Sequence, residues 1–403
     1  MDILQEKQSF EKIEPACPYV GRCGGCTLQD LAYADQVELK RRRVLRLLGT
    51  LDPSVTAEMA PSEPFWRYRN KAELTFSSEW LDGASRVTLG FHRVRSFWRI
   101  VDLDDCLLLP EPMAEVLRQA RTLARRLGLV AYDSRSHQGW ARRLVVRASQ
   151  ATGQVLALFI TAPGQRETAE QFAQGLREAC PFLTTIYWGA SSHVADVTLL
   201  EELTLLHGLP HLEERIGPFT LQVHPLNFLQ PNTAQAARIY ATLQSWVSVA
   251  PGGMAWDLYC GIGLVSFYLA NRFRALHGID LEASHTAMAP LNAARNGIAN
   301  FTFHEGKAEE VLADKRFWLQ EAKPDFVVVD PPRAGLHPQA LSAVLSARPQ
   351  QIAYLSCNAN TLVRDLKPLM SHFPSYRLSR VQGFDMFPHT PHLEVLALLD
   401  RRR

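Results

Sequence analysis

Three short segments in the second half of the chain hold residues whose chemistry is complementary. Cys357 lies in Ser356-Cys357-Asn358, where the apolar run QIAYLSC meets a helical pattern, so its thiol falls at a strand-to-helix turn. A helix N-terminus there is expected to lower the thiol pKa and favour the nucleophilic thiolate. Asp330-Pro331-Pro332 ends a second apolar run, DFVVVD, with a rigid polar turn facing the same crevice. Glu394 is the one carboxylate within the apolar run of the last strand, and a carboxylate there is costly without a role or a partner. A lone cysteine is often just a small buried hydrophobe. Cys357 is singled out by its company.

A thiolate and a base belong together where a carbon must be activated. Carbon 5 of a pyrimidine is a poor nucleophile, and thiolate addition at carbon 6 turns the ring into an enolate that can take a methyl group at carbon 5. A base must then remove the carbon-5 proton so that elimination frees the thiol. The donor side is read from MAWDLYCGIGLVSFYLA, a strand, a glycine turn at Gly261 and Gly263, and a helix. The third glycine of the dinucleotide fingerprint is absent, and no Walker lysine follows. Asp280 ends the next strand, 21 residues after Tyr259, where a carboxylate can accept both ribose hydroxyls of an adenosyl group. Acidic residues on two strand ends favour S-adenosylmethionine over a nicotinamide. Arg333 follows the prolines where exocyclic-amine methyltransferases usually carry an aromatic ring, which speaks against adenine amino-methylation.

The elements that must position these residues fall into three regions. Residues 1–60 hold a cysteine cluster and a basic helix, AYADQVELKRRRVLRLLG. Residues 61–225 read as short alternating strands interrupted by helices near 111–127 and 166–179, an antiparallel α+β domain. Residues 226–403 alternate strand and helix, which implies a mostly parallel sheet with ligands at the carboxyl ends of its strands.

Seven cysteines, an odd number without a signal peptide, argue against a disulfide framework. Cys17, Cys23, Cys26 and the distant Cys106 give four thiolates that suit zinc or an iron–sulfur cluster, with Gly21, Gly24 and Gly25 letting amides approach. Net charge is only +2, but residues 40–147 carry 20 Lys and Arg against 12 Asp and Glu. That block includes Lys40-Arg41-Arg42-Arg43, Arg67, Arg69, Lys71, Arg93, Arg95, Arg99, Arg142 and Arg143, and suits either phosphate contacts or a solvated face. Phe65, Trp66, Phe91 and Phe97 are candidate stacking rings, with core packing the competing use. Ordinary composition, 47% hydrophobic and 21% charged, excludes disordered, collagen-like and coiled-coil classes. With no secretory signal and no apolar span, a cytoplasmic monomer away from membranes is expected.

DPPRAGL, YLSCNANTLVRDL, FDMFPHTPHLEVL and NFLQPN, with YRNKAELTF and GFHRVRSFWRIVDLDDC, together resemble the RNA uridine-5-methyltransferase family over nearly the whole chain. The resemblance implies an α/β fold: a C-terminal Rossmann-like class I methyltransferase domain, an antiparallel α+β central RNA-binding domain and a small N-terminal iron–sulfur region. It makes Cys357 the nucleophile and Glu394 the base, and puts Gln230, Tyr259, Asp280 and Asp330 on S-adenosylmethionine. It assigns Cys17, Cys23, Cys26 and Cys106 to a 4Fe-4S cluster of structural or RNA-shaping role. Leu264 and Lys307 depart from the family pattern and are given no role. The small β-barrel RNA-binding module that opens many members is expected to be absent. The implied substrate is a uridine of 23S ribosomal RNA; a transfer RNA, or a non-catalytic RNA-binding iron–sulfur protein, is the alternative.

Overall fold

The structure, a computed structural model, describes residues 3–402 except 82–83, 97, 194–198, 315–316, 318–322 and 373–374. Phe97, one of the candidate stacking rings, lies outside the described residues. After the basic helix α1 (Tyr33–Leu48) and a short strand β1 (Glu58–Ala60), the chain builds a seven-stranded sheet. Its strands are β2 (Lys71–Leu81), β3 (Ala84–His92), β4 (Ile100–Asp102), β5 (Ala141–Ala148), β6 (Val155–Thr161), β7 (Thr185–Ala190) and β8 (Glu202–Gly208), in the order β4-β3-β2-β5-β6-β7-β8. Helices α2 (Glu111–Arg126) and α3 (Arg166–Ala179) contribute Leu117 and Phe172 to its core, where Phe172 stacks on Phe159 at 4.2 Å.

The expected antiparallel pairing fails at one place. β6 and β7 run parallel, from Leu156 opposite Thr185 to Thr161 opposite Ala190. Parallel neighbours need a crossover of about a dozen residues or more, and α3 is that crossover. The 202–223 stretch also holds strands that the sequence pattern did not reveal: β8 and the hairpin β9 (Leu212–Ile216) and β10 (Phe219–Val223).

The second sheet has eight strands. Its order is β1-β16-β17-β15-β14-β11-β12-β13, built from β11 (Gly253–Leu258), β12 (Phe273–Asp280), β13 (Phe301–Glu305), β14 (Phe326–Val329), β15 (Gln351–Ser356), β16 (Tyr376–Phe384) and β17 (Glu394–Arg401). Only β17 is antiparallel to its neighbours β15 and β16. Helices α4 (Thr233–Trp246), α5 (Leu264–Leu269), α6 (Ala283–Arg295), α7 (Ala308–Ala313), α8 (Pro338–Ala347) and α9 (Ala359–Ser371) accompany the strands. All four residues of β14 are buried, as continuous apolar strands must be when both faces are covered. This is the class I methyltransferase arrangement. Strand order reverses at β11, which pairs with β12 on one side and β14 on the other, so a crevice opens beyond their carboxyl ends. No helix among the described residues is long and apolar enough to cross a membrane.

Candidate active site

The ten residues given catalytic, donor-binding or cluster roles in the sequence all line one cavity of about 1160 Å³ between the two sheets. Cys17, Cys23, Cys26 and Cys106 lie near enough to one another for their thiols to interact. Gln230, Tyr259, Asp280, Asp330, Cys357 and Glu394 are the others.

The donor side is made by local backbone geometry. Tyr259 and Gly261 have φ of 65° and 55°, and Gly263 has φ of 88°. A Cβ on Gly263 would meet the Phe267 ring at 2.9 Å, so this turn requires glycine. The Asp280 carboxylate accepts the Gly261 N–H at 2.8 Å, the Glu282 N–H at 3.0 Å and lies 2.9 Å from His285 Nδ1. Burial pushes its pKa up, but the His285 and backbone contacts outweigh this and hold it below its usual value. Three of roughly four lone-pair sites are thus taken, leaving room for about one ribose hydroxyl rather than both. His285 carried no signal beyond its place in the helix after Asp280. Gln230 sits in a loop tied to the central sheet, its carbonyl accepting Asn70 Nδ2 at 2.9 Å.

The other side joins two turns. Asn358 caps α9 by accepting the Asn360 N–H at 3.1 Å, and its Nδ2 donates to the Arg333 carbonyl at 3.1 Å. Arg364 Nη2 donates to the Ala334 carbonyl at 2.8 Å, and the Leu336 N–H reaches Asp365 Oδ2 at 2.8 Å. The Pro-Pro-Arg turn is therefore clamped onto the helix that starts after Cys357. Glu394, the first residue of β17, is 3% exposed.

Electrostatics here differ from the expectation for the thiol. Burial, then the Glu394 and Asp330 carboxyls, push Cys357 up to about 11, although Arg333 pulls the other way. The helix N-terminus does not outweigh burial beside two carboxyls. Asp330 is raised to about 7 by burial and by Asp280, and Glu394 is raised well above its usual value by burial and by Asp330. Asp257, not singled out in the sequence, is raised to about 7 by burial, with Ser266 opposing.

Among these four cysteines, burial raises Cys26 to about 12 and Cys106 to about 11, and the neighbouring thiols add to both. Gly25 donates its N–H to Cys23 Sγ at 3.5 Å. Among the described residues no three His, Cys, Asp or Glu side chains are grouped to hold a metal ion.

Much of the basic block is used internally. Lys40 is fully buried, 2.5 Å from Asp385. Arg142 donates to the carbonyls of Ser191 and His193, and Arg143 lies 3.6 Å from Glu73. Phe65 stacks on Tyr33 at 4.3 Å and Trp66 on His389 at 3.7 Å, while Phe91 packs against the central core. A long side chain in a run of basic residues is free only if the fold leaves it so, which periodicity alone does not reveal.

Residues 218–402 match the family model described as tRNA (Uracil-5-)-methyltransferase. Over 402 residues the chain is 33% identical to an uncharacterized RNA methyltransferase of Caldanaerobacter subterraneus subsp. tengcongensis, covering 98% of this chain and 86% of that one. A Chlorobaculum tepidum protein described in the same words is 32% identical over 409 residues, with 98% and 84% covered. Among solved structures, the Pyrococcus abyssi tRNA (uracil-54, C5)-methyltransferase in complex with S-adenosyl-L-homocysteine superposes with a TM-score of 0.75 at 29% identity, covering 95% of this chain and 86% of that one. The chain belongs to the RNA (uracil-5-)-methyltransferase family, whose members transfer methyl groups from S-adenosylmethionine.

Proposed function

We propose that this enzyme methylates carbon 5 of a uridine in 23S ribosomal RNA through a covalent adduct on Cys357. The observation that carries the chemistry is the convergence of Cys357, Glu394 and the Asp330 turn on one cavity, with Asn358 bridging the two turns. With Cys357 and Glu394 first giving their protons to solvent, the Cys357 thiolate adds to carbon 6 of the uracil, carbon 5 of the resulting enolate takes the methyl group, and the Glu394 carboxylate removes the carbon-5 proton as the carbon–sulfur bond breaks and the thiolate leaves. S-adenosylmethionine supplies the methyl group and, as a sulfonium cation among carboxyls and a thiol, favours their ionised forms. Gln230, Tyr259, Asp280 and Asp330 hold this donor, Asp280 through one ribose hydroxyl. The uracil must be extruded from the RNA to reach the cavity.

Cys17, Cys23, Cys26 and Cys106 hold a 4Fe-4S cluster in this reading. Their sequence spacing, their thiols lining one cavity near one another and the Gly25 amide on Cys23 support it. Ribosomal RNA is favoured because the sequence resemblance associates this cysteine pattern with ribosomal members. The Pyrococcus abyssi neighbour, which acts on transfer RNA, favours the second reading, a tRNA uridine.

RNA containing 5-fluorouracil tests the mechanism, because fluorine at carbon 5 cannot leave as a proton. With S-adenosylmethionine the wild type should form a stable protein–RNA adduct mapped to Cys357, and Cys357→Ala should form none. Methylation by Cys357→Ala would overturn the mechanism. The trapped fragment identifies ribosomal or transfer RNA, and zinc in place of iron and sulfide in anaerobically prepared protein would sink the cluster assignment.

A further inference from the structure

The fold sorts the basic residues into two sets. In α1, Arg41 and Arg42 both pair with Glu38, at 2.7 and 2.9 Å, and Arg43 donates to the Pro391 carbonyl. Arg67 pairs with Asp105 at 2.7 Å and Lys71 with Glu73 at 2.5 Å. A second set, Arg22, Arg93, Arg95, Arg99 and Arg135, is exposed, and among the described residues none of its guanidiniums pairs with a carboxylate.

These five arginines are gathered by backbone contacts. The β3–β4 loop is closed at its neck by the Arg93 N–H on the Arg99 carbonyl at 2.7 Å. The Val94 N–H donates to the Arg22 carbonyl at 2.9 Å, joining this loop to the cysteine segment. Arg95 sits at φ 57°, an uncommon conformation for a residue with a Cβ, at the tip of the loop. Trp98 in the same loop is 54% exposed, and Arg135 lies over its ring, 5.5 Å from the centroid. The rim is continuous with the reaction cavity, because Tyr19, Val20, Cys23 and Phe91, which flank Arg22 and Arg93 along the chain, line it.

We propose that this rim, made of Arg22, Arg93, Arg95, Trp98, Arg99 and Arg135, is the surface on which the RNA docks before its uridine enters the cavity. Uncompensated guanidiniums take backbone phosphates, and a large exposed indole offers a stacking face to an unpaired base. The occupant is a single-stranded or loop segment of RNA, since a stacking ring serves an unstacked base and not a closed duplex. The inference rests on the RNA substrate class but on neither the choice of ribosomal RNA nor the role of Cys357.

Binding is measured with unmodified in vitro transcripts of large-subunit ribosomal RNA and of transfer RNA, across a potassium chloride series, using whichever transcript the wild type methylates. The triple variant Arg93→Ala/Arg95→Ala/Arg99→Ala should weaken binding by about tenfold or more at ~150 mM salt and reduce the slope of log K against log salt by about 2. Trp98→Ala should weaken binding several-fold, and Trp98→Phe should restore most of it. Arg41→Ala/Arg42→Ala, which removes as much charge from the paired set as two of the loop arginines carry, should stay within about twofold of wild type. Donor binding by calorimetry reports that each variant is folded. A triple variant with intact donor binding and an unchanged RNA affinity and slope overturns the proposal, and so does an equal loss in the Arg41/Arg42 control. Should the triple variant not fold, Trp98→Ala on the surface carries the test, and wild-type affinity there overturns it. Methylation of transfer RNA alone would remove the ribosomal reading and leave the docking surface standing.

Discussion

The two sides of the reaction cavity are built on opposite electrostatic plans. On the donor side, three partners hold Asp280 ionised before any ligand arrives. Where the donor's methyl group meets the acceptor, the Asp330 and Glu394 carboxyls make no hydrogen bond among the described residues, and burial raises both along with the Cys357 thiol. Asp280 and Asp330 both stand at the carboxyl ends of strands of the same sheet, β12 and β14, so position in the fold does not separate them. Their neighbours do: a helix start with a histidine supplies donors to Asp280, whereas the Pro-Pro turn beside Asp330 has no N–H at Pro331 or Pro332 to offer. A fixed anion suits neutral hydroxyls of a ribose. Groups that keep their protons until a cation and a base arrive suit a site that must pass protons during turnover.

Removing the base should break the acceptor side most visibly. Glu394→Gln is expected to lower turnover by about 10² to 10⁴-fold, the usual range for losing a general base, while the methylated RNA–protein adduct accumulates because its carbon-5 proton stays in place. Denaturing gels with labelled RNA would show the adduct, and wild-type turnover without accumulation would remove Glu394 from the reaction. The donor side should respond differently. Asp280→Asn is expected to weaken S-adenosylmethionine binding by about tenfold, close to 1.4 kcal/mol, with little change in the maximal rate and no trapped adduct. Calorimetry and saturation kinetics separate the two. A loss in maximal rate with donor affinity intact would show that the cavity is not divided in this way.

What the sequence discloses about this comparison follows a simple line. Local turns were legible: glycines at 261 and 263, the Pro-Pro turn and the strand-to-helix position of Cys357 are all set within a few residues and recur in the structure. The thiol's protonation was not, because the carboxyl of Glu394 comes to it from a strand 37 residues downstream and burial there outweighs the helix terminus. Asp257 escaped notice because it reads as one polar residue in a strand. Burial and its contact with Ser266 become visible only after α5 folds back over β11. The parallel β6–β7 pair was missed for a related reason. Strand direction depends on where α3 delivers the chain, not on the pattern of either strand.

The smallest effect expected is also the one that compares the two sides in a single experiment. Asp330 keeps its proton in the folded state to about pH 7, against a value near 4 for the unfolded chain. Between those pH values the folded state binds more protons than the unfolded one, so this side loses stability as pH rises from about 4 to 7 and changes little above. Asp257 adds a contribution of the same sign. Asp280, held below its usual value, has the opposite sign: its stabilisation is present above about pH 4 and is lost as pH falls through its folded pKa. In thermal melts without donor or RNA, Asp330→Asn should gain stability relative to wild type as pH rises from 5 to 8, by on the order of 2 °C. Asp280→Asn should flatten the fall below pH 4 and shrink the limb above it only in part, because Asp280 is the smaller cause of the raised Asp330 value and burial the larger. An Asp330→Asn profile parallel to wild type would mean that the Asp330 carboxyl is ionised in the folded enzyme, and the contrast with Asp280 would then rest on Glu394 and Cys357 alone.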